Sequence, residues 1–230
     1  MRRAIQGLLF CLVASLLVAA PAELAAASQR YDCNPADGSF TTLDKRVYRH
    51  QPSGSMGVYA DIKNKTRTWR TQVRGQVCFY DKRGRVIDNG LVYADQLAVA
   101  PGQKISFYIS EHAPAGWHHY TLRFVSKKTR LRAVTSKVDV TTGEIAVDPY
   151  GSLEVPVSVR NDNSFPIEHV AVSVSLYDAD DRLISIDTTS YNYTDPSTLA
   201  PGATGTYTAA AFANFEGLRR VRLSVEAFRP

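Results

Sequence analysis

Two stretches of this chain are copies of one another. Residues 52–87 align without a gap on residues 149–184, and eleven of the 36 positions are identical. Self-similarity of this kind governs any reading of the fold. After a small insertion in the second copy, "VAPGQKISFYI" from Val99 matches "LAPGATGTYTA" from Leu199, and "GWHHYTLRF" from Gly116 aligns loosely with "GLRRVRLSV" from Gly217. Two copies are too few for a solenoid. Each is about 95 residues long, the size of a self-sufficient domain, and an apolar content of 44% is ordinary for a chain that buries a core.

Within each copy apolar residues recur at every second position. Val73, Gly75, Val77 and Phe79 alternate with Arg74, Gln76, Cys78 and Tyr80, while Val170, Val172, Val174 and Leu176 alternate with Ala171, Ser173, Ser175 and Tyr177. A period of two predicts strands with one face in a core and the other in solvent. Val58, Ala60 and Ile62, and Val155, Val157 and Val159, predict a second such pair. Pro156 lacks the ladder N–H and points to a sheet edge or bulge. Further strands are predicted at 105–109, 120–124, 207–209 and 221–227, with an Ala-Pro-Gly turn ahead of one of them in each copy. No stretch after residue 28 carries a 3.6-residue apolar period capped at both ends. The expected class is all-β, with two tandem immunoglobulin-like β-sandwich domains after an N-terminal signal peptide.

Both copies contain Tyr-Asp-x-x-x-Arg, as "YDKRGRV" from Tyr80 and "YDADDRL" from Tyr177. Between two alternating runs this predicts a hairpin turn. Asp81 and Asp178 accept hydrogen bonds from amides a few residues on, and Gly84 and Asp181 stand where a positive φ is wanted. The rival is a calcium loop in the acidic second copy. Lys82, Arg83 and Gly84 replace its oxygens in the first copy and no later Glu completes it, so no metal and no cofactor are expected. The stretch "VSLYDADDRLI", preceded by "VRNDNSFPIEHVAV" and followed by "LAPGATGTYT", resembles the FxLyD family of bacterial extracytoplasmic domains. The motif reads Val174, Ser175, Leu176, Tyr177, Asp178 in one copy and Val77, Cys78, Phe79, Tyr80, Asp81 in the other. Val replaces the family's Phe in both, and Phe79 replaces its Leu, which keeps the face apolar. The resemblance implies a small β-sandwich of secreted or envelope proteins, and it brings no catalytic residues with it.

The opening "MRRAIQGLLFCLVASLLVAAPAELAAASQR" reads as a secretory leader, with Arg2 and Arg3 ahead of an apolar run from Leu8 to Ala20. That run is shorter than the roughly 20 residues of a membrane-crossing helix. Cleavage is expected near Ser28, or alternatively after Ala22. Removing the leader removes Cys11 and leaves Cys33 and Cys78 in an oxidising compartment, where one disulfide is expected and two separate thiols are the alternative. Cys78 falls in the outward register, so a bond to Cys33 staples the N-terminal segment across the outer face of a sheet. The expected organisation is a leader over 1–27, a basic sandwich domain with an N-terminal extension over 28–134, and an acidic one over 135–230.

Charge is unevenly divided, with 18 basic against 8 acidic residues over 28–134 and 7 against 13 over 135–230. One basic cluster is Lys63, Lys65, Arg67 and Arg70 in "KNKTRTWR", where Trp69 also lies; another is Lys82, Arg83 and Arg85; a third is Lys127, Lys128, Arg130 and Arg132 in "KKTRLR". On an up-and-down path the first and third share one end of the sandwich. They form a candidate surface for an anionic envelope polymer, a membrane surface or a protein partner, and nucleic acid fits the compartment less well. The alternatives are solvated strand ends, or docking on the acidic domain of the same chain or, in self-association, of another. No G-x-S-x-G, P-loop or H-E-x-x-H is present. His112, His118 and His119 read as surface residues, since neighbours on a strand face opposite ways. Tyr191 and Tyr193 are candidates for a sugar groove or for alternating strand positions. The expected function is binding rather than catalysis, in an adhesive, scaffolding or partner-recognition role in the periplasm, the cell envelope or outside the cell. The alternative is an envelope hydrolase with a site between the domains.

Overall fold

The alternating runs become strands throughout. In the first half these are β1 (Phe40–His50), β2 (Ser55–Asn64), β3 (Arg70–Tyr80), β4 (Val86–Tyr93), β5 (Lys104–His112) and β6 (His119–Lys128). The second half contains β7 (Val138–Thr142), β8 (Ala146–Val147), β9 (Leu153–Asn161), β10 (Ile167–Tyr177), β11 (Leu183–Thr188), β12 (Thr198–Leu199), β13 (Thr204–Ala211) and β14 (Arg220–Phe228). This computed structural model describes residue 33 and residues 35–50, 55–134, 136–149, 153–188, 198–211 and 217–230. The expected leader, Tyr191 and Tyr193 lie outside the described residues. Among those described there is no helix, so the fold is all-β.

The pairings are antiparallel, and the second half repeats the connectivity of the first. One sheet of the first half runs β1-β2-β5 and the other β4-β3-β6; in the second half β7 and β8 together stand where β1 does, in β13-β9-β7, and β10 is flanked by β11 and β14. Between the sheets of the first half lie Met56, Val58, Ala60, Ile62, Val73, Val77, Phe79 and Phe107. Val155, Val157, Val159, Val172, Val174 and Leu176 do the same in the second half. Each of these side chains larger than alanine contributes about 1.5–3 kcal/mol by leaving water, in an architecture consistent with a β-sandwich. Residues Tyr31–Pro230 form one compact unit.

The repeat extends to the irregularities. β3 shifts register between Thr71 and Arg74 against β6, and β10 shifts between Glu168 and Ala171 against β14. Within these bulges Gln72 and His169 take positive φ values of 48° and 52°. Asn64 and Asn161 close the matched strands β2 and β9. Asn64 Nδ2 donates to the carbonyls of Thr68, Val99 and Ala100, and Asn161 Nδ2 to those of Phe165 and Leu199. Both asparagines are fully buried. Each ties the loop after its own strand to the Pro-Gly turn that precedes the partner strand.

The structure decides between the two settings expected for Pro156 and corrects the expected strand exposure. Pro156 is not at an edge: it lies in β9, between β13 and β7, opposite Thr208. Of the two expected settings it takes the bulge, because residues 143–145 stand against only 155–156 between the pairs Thr142–Val157 and Ala146–Glu154. The flanking strand breaks there into β7 and β8, and Gly143 N–H donates to the Pro156 carbonyl at 2.9 Å. The missing donor therefore faces the break, where no ladder partner awaits it. The strands predicted to be half-exposed are also covered on both faces. Gln76 and Cys78 on β3, and Ser175 and Tyr177 on β10, are as buried as their core-facing neighbours, because other parts of the chain lie over the outer faces.

Candidate functional site

The Tyr-Asp-x-x-x-Arg stretches are turns of one geometry. Asp81 Oδ1 accepts the N–H groups of Arg83 and Arg85 at 2.8 and 3.0 Å, and Asp178 Oδ1 those of Asp180 and Arg182, both at 3.0 Å. Gly84 and Asp181 adopt φ of 75° and 60°. The Arg85 N–H, with the Arg85 and Arg83 groups that follow, holds the Asp81 carboxyl below its ordinary range. At Asp178 desolvation acts upward, but the Arg182 and Asp180 amides and the Arg46 charge outweigh it. Among the described residues no group of three His, Cys, Asp or Glu is placed to hold a metal ion.

The disulfide joins Cys33 to Cys78, with Cα atoms 6.1 Å apart. It lays the N-terminal segment over the outer face of β4-β3-β6, where Arg123 donates to the Cys33 carbonyl at 2.6 Å and to the Tyr80 hydroxyl at 3.0 Å. Further along, Asp37 pairs with Arg70 at 2.9 Å and accepts from the amide and hydroxyl of Ser126. Arg70 is only 7% exposed and its Nε donates to Ser126 Oγ. This arginine anchors the segment and is not part of the exposed basic surface in which the sequence reading placed it.

The remaining basic residues do converge. The Thr129 N–H donates to the Trp69 carbonyl at 3.1 Å, and Arg70 and Thr71 pair with Lys128 and Lys127 across β3 and β6. The loop after β2 and the run after β6 therefore share one end of the first half. Arg132 bonds to the carbonyls of Thr129 and Leu131 and lies over the Trp69 ring, 5.4 Å from its centroid. Sequence reasoning missed Lys104, which sits on β5 directly opposite Lys63. Only sheet register brings these two together, and like charges facing one another across strands repel. Lys63, Lys65, Arg67, Lys104, Lys127, Lys128, Arg130 and Arg132 are all exposed, and none has a carboxylate within ion-pair distance among the described residues. Lys82, Arg83 and Arg85 lie at the opposite end of β3, where Arg85 pairs with Asp81 at 2.7 Å.

The outer face of β2 and β5 packs on the outer face of β10, β11 and β14. Tyr59, Tyr177 and Leu183, with Tyr108 and Ile186, make its apolar part. Beside them Asp61 accepts from Ser106 at 2.6 Å, from the Tyr177 hydroxyl at 2.9 Å and from Arg222 at 3.1 Å. Burial, and then the Asp61 charge, push the Tyr177 hydroxyl up to about 12, so it stays a donor. Arg220 and Arg222 lie over its ring. A second contact places Glu226 of β14, 4% exposed, under the amides of Leu97 and Ala98 at 2.9 and 2.6 Å. A groove of about 540 Å³ opens beside Asp61, lined by Leu43, Tyr177, Arg182 and Arg220 among others. Its arginines are already paired, Arg182 with Asp180, Arg220 with Asp181 and Arg222 with Asp61. The cluster is a clasp whose polar groups bind one another.

His112, His118 and His119 are exposed, and the His119 ring stacks on Tyr80 at 4.8 Å. No protein-family model matches the chain, and no curated protein matches it either. Among solved structures it is similar to a red sea bream transglutaminase, at 12% identity and a TM-score of 0.27, covering 81% of this chain and 29% of that one. It is also similar to an Amycolatopsis orientalis exo-chitosanase bound to a glucosamine derivative, at 12% identity and a TM-score of 0.26, covering 81% and 26%. The chain thus spans less than a third of the length of either.

Proposed function

We propose that this protein is an extracytoplasmic binding module of two tandem immunoglobulin-like domains, FxLyD-like in their hairpin motif, whose first domain receives a polyanion. The observation that carries this reading is the set of eight exposed cations at one end of that domain with no carboxylate at ion-pair distance among the described residues. Solvated cations are usually interspersed with acids; unpaired ones concentrated at one end raise the local potential and attract a negatively charged ligand. The Cys33–Cys78 disulfide suits an oxidising compartment. Among the described residues no helix is long and apolar enough to cross a membrane. Two ion pairs cross between the halves in opposite senses, Arg46 with Asp178 and Arg222 with Asp61, so docking within the chain uses little of the basic surplus. The junction favours binding over hydrolysis, because Asp61 and Glu226 are both occupied by hydrogen-bond donors.

Titration of the purified protein with dextran sulfate at rising salt tests this. Affinity is expected to fall steeply between 50 and 500 mM salt, as exposed charges become screened. The variant Lys63→Ser/Lys65→Ser/Arg67→Ser is expected to bind at least tenfold more weakly while unfolding at the same temperature. Arg70 is left unchanged, because its removal breaks an anchor. Absent binding, or binding indifferent to salt, would overturn the reading.

A further inference from the structure

The basic end carries apolar side chains that a purely ionic ligand would leave in water. Leu97 and Leu131 are 46% and 43% exposed, and they stand among the few large hydrophobic side chains so exposed in the described residues. Both are at this end: Leu131 lies within the "KKTRLR" run, and the Leu97 carbonyl accepts from Thr71 Oγ1 at 2.6 Å, with Thr71 opposite Lys127. The backbone that carries them is held by hydrogen bonds. The Leu97 N–H is committed to Glu226, the Leu131 N–H to Thr129 Oγ1, and the Leu131 carbonyl to Arg132. Trp69, half-buried beneath Arg132, adds an amphipathic ring of the type enriched at the level of lipid headgroups.

We infer that this end docks on an anionic lipid bilayer surface, with the cations against the headgroups and Leu97, Leu131 and Trp69 at the headgroup boundary. The inference rests on the polyanion reading and narrows it to one partner. Charge complementarity supplies the attraction, at roughly fivefold in affinity for each Lys or Arg near an anionic membrane. A soluble sugar or phosphate polymer meets the same cations but gives nothing for exposed leucines, whereas an acyl boundary removes them from water.

The test uses vesicles of phosphatidylcholine alone and of phosphatidylcholine with phosphatidylglycerol, read by co-sedimentation and by indole emission in a Trp117→Phe background that leaves Trp69 as the reporter. The expected result is binding to phosphatidylglycerol vesicles only, a blue shift of Trp69, and release at about 1 M salt, where the screening length falls to about 3 Å. The Leu97→Ser/Leu131→Ser variant, altered only at exposed side chains, is expected to bind these vesicles at least tenfold more weakly yet to retain its affinity for dextran sulfate. Binding to dextran sulfate without binding to vesicles overturns the lipid inference and leaves the polyanion reading standing; binding to neither overturns both. Vesicle binding unchanged in the leucine variant, with no shift of Trp69, overturns the apolar part of the docking.

Discussion

Carboxylates on an exposed hairpin invite a chemical reading, yet those of Asp81 and Asp178 are spent on the backbone amides of their own turns. The same geometry explains why the following position is Gly84 in one copy and Asp181 in the other, since both tolerate a positive φ. A Cβ added at Gly84 meets nothing within 4 Å, so Gly84→Ala isolates the conformational cost from any clash. It is expected to destabilise by about 1 kcal/mol, and Gly84→Asp by less. Urea unfolding of the two variants checks this, and an Asp loss as large as the Ala loss would contradict it. These turn residues were legible because each acts on its immediate neighbours. Asn64 and Asn161 were visible in the repeat only as identities, since their bonding partners include residues more than 30 positions away.

At the scale of elements, strand positions followed from the period of two, but strand burial did not. The outward register of Cys78 was correct, and its sulfur is nonetheless fully buried beneath the segment it tethers. Closing a loop across 45 positions contributes about 3–4 kcal/mol through the entropy of the unfolded chain. Comparing urea unfolding of the oxidised protein with that of Cys33→Ser/Cys78→Ser is expected to show a loss of that order. A loss below about 1 kcal/mol would mean that Asp37, Arg70 and Arg123 hold the segment unaided. The bulges at Gln72 and His169 were not legible, because Gln is not a residue type that announces a left-handed backbone and a single His, though enriched there, is too common elsewhere to announce one.

Over the whole molecule, the packing of one half on the other turns a surface glutamate position into a buried one. Burial pushes Glu226 up to about 7 from its ordinary 4.5, against the opposing effect of the Leu97 and Ala98 amides. Between those two values the folded protein keeps a proton that the unfolded chain has released. The stabilisation is therefore complete below about pH 4.5 and is lost as pH rises through 7, amounting to about 3 kcal/mol. Chemical denaturation at pH 5 and pH 8.5 is expected to show this loss in the wild-type protein and not in Glu226→Gln. The difference between the two pH values is the readout, because the amide also leaves one backbone donor poorly matched. Equal pH dependence in both proteins would remove Glu226 as its source.

The sequence by itself determined the all-β class, the twofold repeat and the hairpin turns, because periodicity and turn chemistry act between residues a few positions apart. The bond between Cys33 and Cys78 was an expectation with separate thiols as its alternative, and the structure decided for the bond. Only the tertiary structure decided which outer faces are covered, that Arg70 points inward, that Lys104 joins the basic end, and that Pro156 sits mid-sheet beside a broken strand. Each of these depends on residues far away in the chain meeting across a sheet or between halves. A polar side chain on the outward register reads the same whether water or another sheet lies beyond it.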